Sequence, residues 1–305
     1  MSASEDHTIP PANGPGAEAP TEPALTTAPI LSADEQQPGM PPGEPGSPAA
    51  VAEDLHTPWG WPDLILFVVF VLGSSVVLPI LAGLVAVLWW GVKPWEIETA
   101  PNAQAAILFA GQALWSVATL AYLFATVRLR HGGPFWRTIG WRTLRPLYWT
   151  GRVAAVLCLL GGVGLALAIQ FSSVFVGKRV KLPIEKLYQT RQSALLLMVL
   201  GILVAPLIEE TIFRGYIYPV LARGLGMSAG VVVTGILFGM VHAPQLWGGW
   251  GQIALIVAVG IVLTYVRART GTVLASFLVH LSYNTTLFVE LYVTTGGLRH
   301  FPGSA

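Results

Sequence analysis

The chain has 305 residues, of which 53% are hydrophobic and only 11% charged. A soluble domain carries about 25% charged residues, so this one cannot cover itself with polar surface and reads as a polytopic membrane protein. A net charge of +1 leaves no electrostatic footprint for nucleic acid or for an acidic partner. The single cysteine, Cys158, lies in an apolar run, can form no internal disulfide, and is read as small apolar packing.

Residues 1–57 hold nine of the 16 acids, 11 of the 23 prolines and no Lys or Arg. So little apolar side chain cannot offset the entropy of ordering, and the segment is expected to be a disordered, Pro-rich acidic tail. A signal peptide is not expected, because the first apolar run begins near Leu64 and is too long. From there the chain is a succession of apolar runs of roughly the 20 residues that one crossing needs. They cover 64–90, 103–127, 152–176, 194–213, 229–246, 252–266 and 272–293. This predicts an all-α transmembrane bundle of seven spans, with six or eight also fitting the pattern. The run 252–266 is short and suits a helix buried among the others.

Trp59 and Trp61 before the first span, and Trp89, Trp90 and Trp95 beyond it, read as interfacial anchors. Gly161, Gly162 and Gly164 read as close helix contacts. The segment from Phe135 to Trp149 interleaves aromatic residues with arginines, as an interface-lying helix or a solvated basic loop would. With seven spans, ten of the 17 cations fall on the side of the loop after the second span, which places that loop and the acidic tail in the cytoplasm.

Three polar clusters interrupt the apolar runs. The first is Glu209, Glu210 and Arg214. An ionisable group at bilayer depth costs at least about 2.5 to 3.5 kcal/mol on insertion scales, so three within six residues need partners or a function. Side chains four apart share a helix face, so Arg214 can pair with Glu210, leaving Glu209 the freer carboxylate and a candidate general base. A buried structural ion pair would explain Glu210 and Arg214 but not the second acid. The second cluster is His242, at the end of Phe238-Gly239-Met240-Val241-His242. The third is His280 with Asn284, four apart on one face and able to ligate a metal or to donate to an oxyanion. Ser282 diverges from His280 and is not read as a nucleophile. A phosphate-binding or dinucleotide loop is absent, so no nucleotide cofactor is expected.

A glutamate pair with arginine four residues after its second member, then Phe-x-x-x-His, then His-x-x-x-Asn, on successive spans, resembles the CPBP family of intramembrane proteases, which includes the type II CAAX prenyl endopeptidases. The resemblance covers roughly residues 194–293. It implies that Glu209 with His242 activates water, that Glu210 and Arg214 support them, and that His280 and Asn284 stabilise the oxyanion. It implies a peptide-bond substrate in a membrane-associated or lipidated peptide or protein, with lipids as the other partner. Family chemistry is described both as metal-dependent and as metal-independent, so Zn²⁺ held by Glu209, His242 and His280 stays open beside a glutamate mechanism. The expected organisation is the tail 1–57, transmembrane helices with a basic loop over 58–192, a catalytic core over 193–295 and a C-terminal tail 296–305, in the plasma membrane of a bacterium. A proton-coupled transporter, or a non-catalytic scaffold or immunity protein, is the alternative the same residues admit.

Overall fold

The computed structural model describes residues 55–91, 93, 101–144, 150–176 and 191–299. The expected tail up to residue 54, the lysines between the third and fourth spans, Trp95 and the end of the basic loop lie outside the described residues, as do the side chains of Trp89 and Trp90. All described secondary structure is helical.

Each apolar run becomes a helix. They are α1 (Trp61–Trp90), α2 (Pro101–Phe124, extended by a π-helical turn over Ala125–Arg130), the short α3 (Phe135–Thr138), α4 (Gly151–Ser173), α5 (Arg191–Leu225), α6 (Met227–Val241), α7 (Trp250–Thr270) and α8 (Val273–Thr294). Five of them, α1, α2, α4, α5 and α7, are long and apolar enough to cross a bilayer. Against the seven expected spans, α6 has only 15 residues, and α8, though 22 residues long, carries the polar run around His280 and is not among the five. The α7 helix buries Ile253, Val259, Leu263, Thr264 and Arg267 among its neighbours. Outward-facing Ile65, Val69, Leu72, Val76 and Ile80 of α1 are largely exposed, as a lipid-facing stripe requires.

The core is built around α5, whose residues 210–222 are buried without interruption. It packs on α6 and α8, α6 packs along α7, and α4 along α8. Small residues set these crossings. A Cβ on Gly239 would come within 2.2 Å of Val257, and one on Gly162 within 1.9 Å of Ser282 Oγ. Of the three glycines read as contacts in α4, only Gly162 is one; Gly161 and Gly164 face open space.

Two readings of the aromatic residues need correction. Trp59 is no interfacial anchor: it is 1% exposed, stacks on Tyr216 at 5.0 Å, and its Nε1 donates to Tyr216 O at 3.0 Å. Among its described residues the basic segment forms a helix only over Phe135–Thr138, because the chain turns at Gly140 with φ of +98°. Phe135 and Ile139 are then buried against the core, not laid on the interface.

The start of α1, the end of α2, the loop after α3, the end of α5 and the start of α8 share one end of the bundle. Asp63 pairs with Arg130 at 3.3 Å, Trp61 lies against Gly224, and Thr272 bonds to Arg142.

Candidate active site

The α5 helix is irregular where it carries the acids. Ala205 N donates to Leu200 O, the five-residue spacing of a π turn over Leu200–Val204. The next step of that ladder would run from Pro206 to Gly201 O, and Pro206 has no N–H. The carbonyl is taken instead by Asn284 Nδ2 at 2.6 Å. A second π segment, Thr211–Ile217, begins immediately after Glu210 and is followed by Pro219. Six α-helical residues, Ala205–Glu210, therefore stand between two π segments and present both glutamates to α6 and α8. Such insertions occur where a helix must re-aim side chains.

Glu210 and Arg214 are fully buried, and Arg214 Nη1 donates to Glu210 Oε1 at 2.8 Å. The guanidinium is satisfied further by Thr264 Oγ1 at 3.2 Å from Nε and by Gly260 O at 2.9 Å from Nη2, and it lies 4.5 Å over the Phe238 ring. Thr264 and Gly260 were missed in the sequence. A Gly-x-x-x-Thr pair inside an apolar helix was their only signal, and alone it says nothing about which cation it receives. Glu210 Oε1 also accepts from His280 Nδ1 at 2.9 Å.

Glu209 is different. Its side chain keeps 24% exposure, and its two oxygens face two imidazoles: Oε1 lies 3.8 Å from His242 Nε2 and Oε2 lies 3.8 Å from His280 Nε2. His242 Nδ1 donates to Phe238 O at 2.7 Å, so both rings have Nδ1 committed and Nε2 turned to the same carboxylate. Phe238 touches both rings, with centroids 4.9 Å from His242 and 5.7 Å from His280. These contacts connect five of the six residues singled out in the sequence. Asn284 sits one turn beyond His280 and is anchored on Gly201, which commits one of its two amide hydrogens. Ser282 points away, donating to Leu159 O of α4 at 2.7 Å.

In donor type, two imidazoles and a carboxylate suit zinc. In placement they fall short: tetrahedral ligands at about 2.1 Å from a metal stand about 3.4 Å apart, whereas both nitrogen–oxygen separations here are 3.8 Å. Among the described residues no group of three or more His, Cys, Asp or Glu is placed to hold a metal ion. The arrangement as it stands can accept a proton at Glu209, orient two imidazoles, and exclude bulk water behind the buried Glu210–Arg214 pair, in which Glu210 Oε1 takes both contacts.

Comparison with known proteins agrees with this region. Residues 191–286 match the family model described as type II CAAX prenyl endopeptidase Rce1-like. Over 187 residues the chain is 24% identical to the protein named "Putative membrane peptidase YdiL" of Bacillus subtilis (strain 168), an alignment covering 58% of this chain and 71% of that protein. No solved structure matches the chain.

Proposed function

We propose that this integral membrane protein is a protease of the type II CAAX endopeptidase kind, which the match of residues 191–286 supports, and that Glu209 and His242 activate water for peptide-bond hydrolysis. The observation that carries the division of roles is the difference behind the two rings. His242 Nδ1 rests on a backbone carbonyl, while His280 Nδ1 rests on the Glu210 carboxylate.

A water seated over Glu209 and the two Nε2 atoms gives its proton to the carboxylate and attacks the scissile carbonyl. Negative charge then develops on the carbonyl oxygen. The ring backed by Glu210 complements that charge as an Nε2–H donor, and the free amide hydrogen of Asn284 is the second donor. The proton held at Glu209 passes to the leaving amine, so the carboxylate is regenerated. Arg214 reaches no reacting group; it holds Glu210 in place.

The substrate we propose is a peptide bond in a membrane-associated or lipidated chain, since His280 lies only seven residues, about 10 Å of helix, from the start of α8. The same end carries Arg128, Arg130, Arg137, Arg142, Arg152 and Arg269, and on the positive-inside rule we propose that it faces the cytoplasm together with the chain entering at Leu55. The test is incubation of the purified protein in nanodiscs with a prenylated CAAX-ending peptide, with fragments read by mass spectrometry. Cleavage that vanishes in Glu209→Ala supports the proposal. Proton flux into sealed vesicles without cleavage of any lipidated or membrane peptide refutes it in favour of a transporter.

A further inference from the structure

Residues 139–142 run as a loop through the crossing of α5 and α8, the two helices that carry Glu209 and His280. On α5, Trp141 Nε1 donates to Thr211 Oγ1 at 3.1 Å, and Thr211 is the residue after Glu210. A hydroxyl has one hydrogen, and Thr211 gives its own to Leu207 O at 2.7 Å. It therefore meets the indole as an acceptor, and the direction of the whole chain is fixed. On α8, Val273 N donates to Gly140 O at 2.9 Å, and Thr272 Oγ1 donates to Arg142 O at 2.6 Å. The Trp141 ring lies 5.3 Å from that of Phe277, three residues before His280.

Room for this loop is cut deliberately. Gly140 adopts φ of +98°, where a side chain is strained, and a Cβ on Gly215 of α5 would stand 2.8 Å from Ile139 O. The clip sits where α5 is least regular, at the first residue of the π segment Thr211–Ile217. A π segment competes with ordinary α geometry, and relaxing it by one residue turns the flanking side chains by about 100°. A hold from outside the helix decides which geometry persists.

We propose that Trp141 is a positioning residue for the hydrolytic site. Through Thr211 its Nε1–H fixes the π segment that begins after Glu210, and so keeps Glu209 between the Nε2 atoms of His242 and His280. Trp141 touches no reacting group itself. The kinetic consequence rests on the hydrolytic reading above; the geometric one does not.

Three variants of the full chain in nanodiscs test it. Trp141→Phe keeps a ring against Phe277 but removes the donor, Thr211→Val removes the acceptor at equal shape, and Thr211→Ser keeps the hydroxyl. Ring signals of His242 and His280 are followed by NMR of histidine-labelled protein at one fixed pH, alongside steady-state cleavage and thermal melting. Expected are shifted signals for both rings in Trp141→Phe and Thr211→Val, with Thr211→Ser like the parent. Loss of one hydrogen bond through the relay should lower kcat about tenfold at unchanged KM, and the double variant should be no worse than either single one. Parent-like ring signals in a folded Trp141→Phe protein overturn the proposal, as do losses that multiply in the double variant. If the parent cleaves no lipidated peptide, the hydrolytic reading fails while the ring signals still decide the role of Trp141.

Discussion

Replacing Arg214 by alanine is the sharpest perturbation of the site, because everything around the guanidinium is buried. The substitution leaves Glu210 Oε1 with His280 Nδ1 alone, strips Gly260 O and Thr264 Oγ1 of a donor, and uncovers the face of Phe238. Two magnitudes compete. Breaking a buried ion pair and stranding its carboxylate costs about 3 to 5 kcal/mol, whereas side-chain hydrogen bonds between helices in lipid average about 0.6 kcal/mol, because the unfolded chain in the membrane finds other partners. A charge has no such substitute in hydrocarbon, so the first figure should apply, reduced if Glu210 takes up a proton. Unfolding in mixed micelles with increasing dodecyl sulfate should show Arg214→Ala destabilised by about 3 kcal/mol or more. Arg214→Lys, which keeps a charge but cannot reach Glu210, Thr264 and Gly260 together, should fall between parent and alanine. Cleavage should fall in parallel with the loss of His280 orientation. A loss under about 1 kcal/mol in a protein whose Glu210 remains ionised would refute the reasoning.

Asn284→Ala should lower kcat by about 10² to 10³ with little change in KM, as removal of an oxyanion donor does, and His242→Ala should be more severe; a matching rise in KM would point to substrate binding instead. Elemental analysis of the active parent, with strong chelator present, should find no stoichiometric zinc, whereas metal lost together with activity in both His242→Ala and His280→Ala would establish the metal route. Deletion of residues 1–54 should leave cleavage within a few-fold, while extending the deletion through Trp59 should destabilise the bundle, since Trp59 stacks on Tyr216 and Arg223 holds Thr57 O at 2.7 Å. Gly162→Ala should cost about 1 to 3 kcal/mol by forcing α4 from α8, and Gly161→Ala almost nothing; equal effects would show that the α4–α8 crossing differs from the one described.

The helices were legible in the sequence because lipid admits few backbone solutions, so seven apolar runs had to become helical segments. The pairing of Arg214 with Glu210 was legible too, since a four-residue spacing is local geometry and needs no knowledge of the fold. Spacing could not show that His280 would claim Glu210 through Nδ1 and face Glu209 through Nε2, because those residues are about 70 apart in the chain and meet only through the α5–α8 crossing. Nor could it show that Trp59 would be buried and that Trp141 would pack, partly buried, against the core. An indole beside a span suits the interface and the core equally well, and what drew these two inward were specific acceptors, Tyr216 O and Thr211 Oγ1. Those acceptors lie in the π segment of α5, whose backbone geometry depends on its neighbours as much as on its own residues. Sequence thus determined which polar groups enter the bilayer, while tertiary packing decided which of them are paired and which carboxylate is left free to react.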